Sequence, residues 1–206
     1  MIIQIKDIVK KYNMNISGII HIGAHYGEEL ESYIDIGISD IMMFEPLKEN
    51  FEVLKKKVLL YPEANIKKYQ VALGNKNSTI TMMLASNNLQ SSSVLKPKRH
   101  LDLYSDIVFD RTEEVEMQKL DDYNCNKFNF INMDVQGYEL EVLKGSQETL
   151  NHVDYVYCEV NNDEIYEGNA YIGEIDEYLS NYGMKRFETF WWEDSGWGDA
   201  LYIKVK

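Results

Sequence analysis

Cysteine is scarce in the sequence, with two among 206 residues. Cys125 lies in a polar stretch and Cys158 in an apolar one, which gives neither a disulfide framework nor a metal-finger spacing. A reducing compartment is therefore expected. Long apolar runs are also missing. None approaches the roughly 20 residues a membrane-spanning helix needs, so no membrane insertion is expected. Positive charge is in deficit: 21 Lys and Arg stand against 34 Asp and Glu, a formal net charge of −13 with a pI near 4.7. Nucleic-acid binding rests on clustered Lys and Arg that displace counterions, so a DNA or RNA partner is not expected. The excess acid reads first as a solvated surface and second as a means of serving a cationic ligand. The opening residues MIIQIKDIVKKY set apolar positions at helical spacing among lysines and lack a small-residue cleavage site. They predict an amphipathic helix over about residues 2–12, not a signal peptide, and with it a soluble, cytoplasmic protein.

What is present is a regular alternation. GIIHIGA (18–24), DIMMFEP (40–46), IKKYQVAL (66–73), FNFINMDV (128–135) and DYVYCEV (154–160) read as strands, four of them nearly continuous in apolar character. Strands apolar on both faces belong in buried parallel sheets. Between them GEELESYIDIG, LKENFEVLKKKVLLY and YELEVLKGSQETL place apolar residues three or four apart, as crossover helices do. In the last of these Leu140, Val142, Leu143 and Leu150 form the stripe expected to be buried, with Glu139, Glu141 and Lys144 facing water. The pattern predicts an α/β fold with a doubly wound, mostly parallel sheet in a single domain. Residues 75–127 interrupt it with NSTITMMLA, the polar SNNLQSSSVLKPKRH and the alternating TEEVEMQKL. These are expected to add strands and a flexible loop over one edge of the sheet. After a helix at IGEIDEYLSNYG, the segments MKRFETFWW and DALYIKVK flank the turn-rich EDSGWG and predict a C-terminal antiparallel hairpin.

In such sheets ligands bind outside the carboxyl ends of the strands. The first strand ends at Gly23-Ala24-His25, where small residues admit a ligand to the backbone and the next helix offers its N-terminus. The second ends in Phe44-Glu45-Pro46, an acid placed to accept hydrogen bonds from both hydroxyls of a ribose. The fourth ends in Asp134-Val135-Gln136-Gly137 and the fifth in Glu159-Val160-Asn161-Asn162, so three carboxylates converge on one rim. Each has a plainer reading. The glycines could form only a tight corner, Glu45 a solvated acid and Asp134 a helix cap. His21 reads as a hydrogen-bonded core residue, His25 as the functional histidine, and His100 and His152 as surface residues. The polar segment Asn87–Ser93, with Gln90, Ser91 and Ser92, reads as either an exposed loop or a cover over a bound ligand.

GIIHIGAHYGEE, MMFEP, VALGN and above all FINMDVQGYELEVLKG resemble the FkbM-type family of S-adenosylmethionine-dependent methyltransferases, over about residues 18 to 160. The resemblance implies a Rossmann-like methyltransferase sheet, S-adenosylmethionine as methyl donor, and O-methylation of a saccharide or other hydroxyl-bearing acceptor. Carried onto this chain, Gly23 with its neighbours His21, Ala24 and His25 would meet the methionine part of the donor. Glu45 with Pro46 would meet its ribose, Val71 and Ala72 would border adenine, and Asp134 with Val135 would lie near the transferring methyl. Ser91 and Ser92 would close over the donor. Two departures stand out: His21 occupies a position where an acid is common, and Asn132 one where a lysine is common. Asp134 or Glu159, with His25 third, is the expected proton acceptor for an alcohol. Asp134, Glu159 and Asn161 are the oxygen ligands available should Mg²⁺ take part. Tyr166, Trp191, Trp192, Asn161 and Asn162 suit a sugar ring, which needs stacking and hydrogen bonds together. A nicotinamide-dependent oxidoreductase or epimerase, or a binding protein without chemistry, is the alternative. The first would want a third glycine and a Tyr and Lys pair on a helix.

Overall fold

A computed structural model describes residues 2–205. In chain order its elements are α1 (Ile5–Tyr12), β1 (Ile19–Ile22), α2 (Leu30–Asp35), β2 (Asp40–Phe44), α3 (Lys48–Val58), β3 (Asn65–Tyr69), β4 (Ala72–Leu73), β5 (Ser78–Leu84), α4 (Arg99–Leu103), β6 (Arg111–Gln118), β7 (Phe130–Met133), α5 (Glu139–Lys144), α6 (Gln147–Leu150), β8 (Tyr155–Asn161), α7 (Ile172–Ser180), β9 (Met184–Trp191) and β10 (Trp197–Lys204). Seven strands form the central sheet in the order β3-β2-β1-β7-β8-β10-β9. β1, β2, β3, β7 and β8 run parallel, and β10 is antiparallel to both its neighbours. The chain thus builds outward from β1 in one direction and from β7 in the other.

Side chains alternate across each strand and feed two cores. Ile20, Ile22, Met42, Phe44, Ile131 and Met133 point to the face covered by α5, α6 and α7. Ile19, Ile41, Met43 and Phe130 point to the face covered by α1, α2 and α3. Each such side chain, fully buried, stabilises by about 1.5–3 kcal/mol. This is why the central strands read as unbroken apolar runs. Among the described residues no helix is long and apolar enough to cross a membrane.

Two expectations are corrected. The stretch 138–150 is two short helices, not one. They break at Gly145, where a Cβ would stand 1.9 Å from the carbonyl oxygen of Gly74, so the helix stops where another segment crosses its path. Glu139 is 1% exposed instead of facing water. Its Oε1 accepts hydrogen bonds from the backbone N–H groups of Val135 (3.0 Å) and Gly137 (3.2 Å), donors that the turn after β7 otherwise leaves unpaired. The inserted region supplies β5 and β6, which with β4 form a separate three-stranded sheet in the order β4-β6-β5. Met82, Leu84, Val115 and Met117 from it pack with Leu47, Ala72 and Leu89 in a third core.

Candidate active site

The carboxyl ends of β1, β2 and β7 meet at Gly23. It has φ +77°, and a Cβ there would stand 1.8 Å from the carbonyl oxygen of Asp134, so only glycine allows the two strand ends to touch. Its N–H and that of Ala24 both donate to the Phe44 carbonyl, at 3.0 and 2.9 Å, and the Asp134 N–H donates to the Ile22 carbonyl at 3.0 Å. Three strand ends are thereby locked together with small or polar groups at the surface.

Glu45, the residue after β2, is 4% exposed. Its Oε2 accepts from the His25 N–H at 2.9 Å, and its Oε1 from the Leu47 N–H at 2.9 Å and Asn50 Nδ2 at 3.4 Å. A carboxylate offers roughly four acceptor positions, so capacity remains. Burial pushes its carboxyl up to about 7, against the pull of those donors. Asn50, buried on α3, has an Oδ1 with no hydrogen-bond partner.

At the end of β7 the key contact is Gln136, held at φ +54°. Its Nε2 donates to Asp134 Oδ1 at 2.7 Å and to Glu159 Oε2 at 2.9 Å, and its Oε1 accepts from the Tyr166 hydroxyl at 2.7 Å. The Ser93 hydroxyl donates to its backbone carbonyl at 2.7 Å. Burial, then the neighbouring charges of Asp134 and Glu139, holds the Glu159 carboxyl well above the usual carboxylate range.

Two cavities open onto this junction and share Gly23, His25, Gln90, Asp134 and Gln136. The first is the narrower and more apolar of the two. Phe44, Leu47, Val71, Ala72, Leu73 and Met82 give it apolar walls, with Glu45 and Asn50 as polar points. The second, about 1260 Å³, is broader and polar, and reaches Glu28, Glu29, Glu159, His100, Trp192 and Trp197.

The remaining expected site residues fall as follows. Pro46, Val135 and Ser92 line the apolar cavity, and Ser91 and His21 the polar one. Ser91 and Ser92 are buried, not in a flexible exposed loop; Ser92 Oγ accepts from the Ala85 N–H at 3.0 Å. Ala24 is buried among core residues of β1 and α2. His25, at φ +45°, has its Nδ1 2.6 Å from Glu28 Oε1 and its Nε2 2.8 Å from the Asn88 carbonyl. Burial works against the charged ring, but the Glu28 and Asn88 hydrogen bonds outweigh it and raise the pKa. Both nitrogens then donate, and neither lone pair is left for a substrate proton. The two departures from the family pattern prove to be neighbours: His21 and Asn132 pair across β1 and β7. Asn132 Nδ2 donates to the Tyr33 hydroxyl at 2.7 Å, which stands 3.2 Å from His21 Nδ1. Asn161 is buried with both amide atoms unpartnered, and it lines neither cavity. Among the described residues no group of three His, Cys, Asp or Glu is arranged to hold a metal ion.

Sequence reading missed Gln136, Asn50, Tyr33 and His100. A polar residue within the apolar stripe of α3 was the available signal for Asn50. His100, expected on the surface, is 3% exposed and ringed by Tyr104, Phe109 and Tyr166, with its Nδ1 unpartnered. Burial lowers its pKa to about 4, so the ring is neutral.

A parallel sheet in this strand order, with a glycine-ended first strand and an acid-ended second strand framing an apolar cavity, defines a Rossmann-like methyltransferase fold. The solved structure of methyltransferase FkbM from Methylobacillus flagellatus KT superposes with a TM-score of 0.63 at 17% identity, covering 90% of this chain and 43% of that one. Magnesium protoporphyrin IX methyltransferase from Synechocystis PCC 6803, solved with bound S-adenosylmethionine, gives 0.52 at 8% identity, covering 91% of this chain and 69% of that one. The chain belongs to the FkbM methyltransferase domain family, whose sequence profile matches residues 21–185. A curated relative, the 2-O-methyltransferase NoeI of Sinorhizobium fredii, is 26% identical over 177 residues, covering 81% of this chain and 72% of the relative.

Proposed function

We propose that this methyltransferase uses S-adenosylmethionine and transfers its methyl group to a hydroxyl oxygen of a saccharide. The observation that carries the reading is the pair of cavities joined at Gly23, His25, Asp134 and Gln136, one walled mainly by apolar side chains with Glu45 at its rim, the other polar and open. The residues present fit the donor. Glu45 has acceptor capacity left, and the orphaned Asn50 Oδ1 lies in the wall of the same cavity, as a ribose requires. Phe44, Leu47, Val71 and Leu73 supply the apolar surface an adenine needs. An oxygen acceptor is supported by the activity named for the relative, a 2-O-methyltransferase.

When bound, S-adenosylmethionine supplies a methyl group on a positively charged sulfur. The chain's own part is to align two reactants, exclude water and take up the proton of the hydroxyl. Asp134 borders both cavities and is the residue we assign as proton acceptor. Gln136 fixes its carboxylate by donating to it and to Glu159 from the same amide nitrogen, which ties the end of β7 to β8. Alignment of this kind is worth effective molarities on the order of 10⁵–10⁸ M.

The test is calorimetry with S-adenosylmethionine and with NAD, followed by mass spectrometry of saccharides incubated with the donor. The expected result is binding of the first ligand alone and a methyl adduct on a sugar. Glu45→Ala should weaken the donor by about 10- to 100-fold, the value of a hydrogen bond to a charged group. Asp134→Asn should slow turnover by about 10²–10⁴-fold with a smaller change in donor affinity. Unchanged donor affinity in Glu45→Ala overturns the ribose assignment, and full turnover in Asp134→Asn overturns the proton acceptor.

A further inference from the structure

Asn132 and His21 are linked through Tyr33 into one chain of hydrogen bonds that ends beside the Gly23 turn. Asn132 Nδ2 donates to the Tyr33 hydroxyl oxygen at 2.7 Å, and that hydroxyl lies 3.2 Å from His21 Nδ1. Burial holds the Tyr33 phenol well above its usual titration range, so its proton stays on. Among the described residues His21 Nδ1 is the acceptor open to that proton. The opposite polarity would turn the Asn132 amide over and leave its buried N–H groups without an acceptor, where the present one leaves Oδ1 without a donor. Orphaned N–H groups are the rarer of the two. Burial also lowers the His21 pKa, against the pull of Glu29, so the ring is neutral and carries its one proton on Nε2.

His21 is 2% exposed and lines the polar cavity, yet its Nε2 has no hydrogen-bond partner among the described residues. The Glu29 Oε2 stands 3.8 Å from it, beyond hydrogen-bond distance. Glu29 lines the same cavity, and its carboxylate accepts no hydrogen bond from a described residue. The other carboxyl groups of that wall are engaged, Glu28 by His25 and both Asp134 and Glu159 by Gln136. One unengaged N–H and one unengaged carboxylate therefore face the cavity side by side, from either side of the turn between Gly23 and Gly27. A donor next to an anion is the complement of an α-amino acid, which carries a carboxylate and an ammonium on a single carbon.

We infer that Glu29 holds the α-ammonium group of the methyl donor and that the His21 Nε2–H holds its α-carboxylate. The inference rests on the proposed S-adenosylmethionine site and adds what fixes the amino-acid end of that ligand. His21 and Asn132 then act as one device: Asn132, through Tyr33, sets which nitrogen of the buried ring donates, and the anion comes from Glu29 at the start of α2. An ammonium on a carboxylate is charged on both sides, whereas the imidazole N–H is a neutral donor. Glu29 should therefore contribute more to affinity than His21.

The experiment is calorimetry, which reads binding without transfer. Its four ligands share adenosine and sulfur and differ only beyond the sulfur: S-adenosylhomocysteine, its decarboxylated form, its deaminated form, and methylthioadenosine, which lacks both charged groups. Glu29→Gln, a change at a partly exposed side chain, should weaken the two amine-bearing ligands by about tenfold or more. The deaminated form and methylthioadenosine should keep their affinity for that variant, which also shows that it is folded. His21→Asn, which leaves an amide oxygen for Tyr33 and removes Nε2, should weaken the two carboxylate-bearing ligands by about threefold or more and leave methylthioadenosine unchanged. Glu29→Gln that weakens all four ligands alike, or none, overturns the inference while the donor reading stands. So does an advantage of the amine-bearing ligands that survives Glu29→Gln and disappears in Asp134→Asn. Failure of both S-adenosylhomocysteine and methylthioadenosine to bind the unaltered protein overturns the donor reading itself, and the inference with it.

Discussion

At the level of single residues the site is built from carboxyl groups held out of water, and their protonation has a sign that can be worked out. An unfolded glutamate titrates near 4.3, and Glu45 in the fold titrates at about 7. Between those values the folded chain binds more protons than the unfolded one, so stability falls as pH rises. The contribution of Glu45 is fully present below its unfolded value and is lost as pH passes through about 7. Glu139 and Asp199, also raised by burial, act in the same direction. Buried His100, with its pKa lowered from 6.5 to about 4, acts the other way below pH 6.5, so the thermal midpoint of the ligand-free protein should decline from about pH 6.5 to pH 8, and Glu45→Gln should flatten part of that decline. Donor affinity should move the opposite way, since the ionised carboxylate is the stronger acceptor. A Glu45→Gln protein that follows the unaltered pH course in both measurements would place the effect elsewhere. The positions of Gly23, Glu45 and Asp134 were legible because each ends an apolar strand, where the sequence itself marks the change. His100 was not legible, because its burial comes from Tyr104, Phe109 and Tyr166, and Tyr166 lies 66 residues further along the chain. Glu139 misled for a related reason: helical spacing put it on the outer face, while the demand came from the N–H groups of the preceding turn.

At the level of elements, the central strands and covering helices could be read because burial on both faces or one leaves a plain periodic signature. The break between α5 and α6 could not, since its cause is a distant segment. Gly145 passes so near the Gly74 carbonyl that any larger residue must push backbone against backbone. Gly145→Val should cost about 1–3 kcal/mol or more in urea unfolding. Gly173→Ala, in α7 with open space around it, should gain about 0.5–1 kcal/mol. A neutral Gly145→Val would show that α5 and α6 can shift to absorb the side chain. The three-stranded sheet escaped reading as a separate layer because alternation reports a strand and its wet face, not the partner it pairs with.

For the molecule as a whole, a net charge of −13 means that the folded chain repels itself. Several of the surface pairs that oppose this, such as Lys55 with Glu52 and Lys119 with Asp122, are solvent-exposed and contribute little. Raising ionic strength from 0.01 to 0.15 M shortens the screening length from about 30 to about 8 Å. The thermal midpoint should rise over that range, and a fall would mean that favourable ion pairs outweigh the repulsion. The sheet also divides labour along the chain. The apolar cavity is framed by the ends of β1, β2 and β7 together with the three-stranded sheet, whereas His100, Trp192 and Trp197 come from the α4 segment and the final hairpin. Because the two stretches hang on separate connections, a change of length in either can reshape the open side of the crevice without moving the three strand ends that Gly23 locks together.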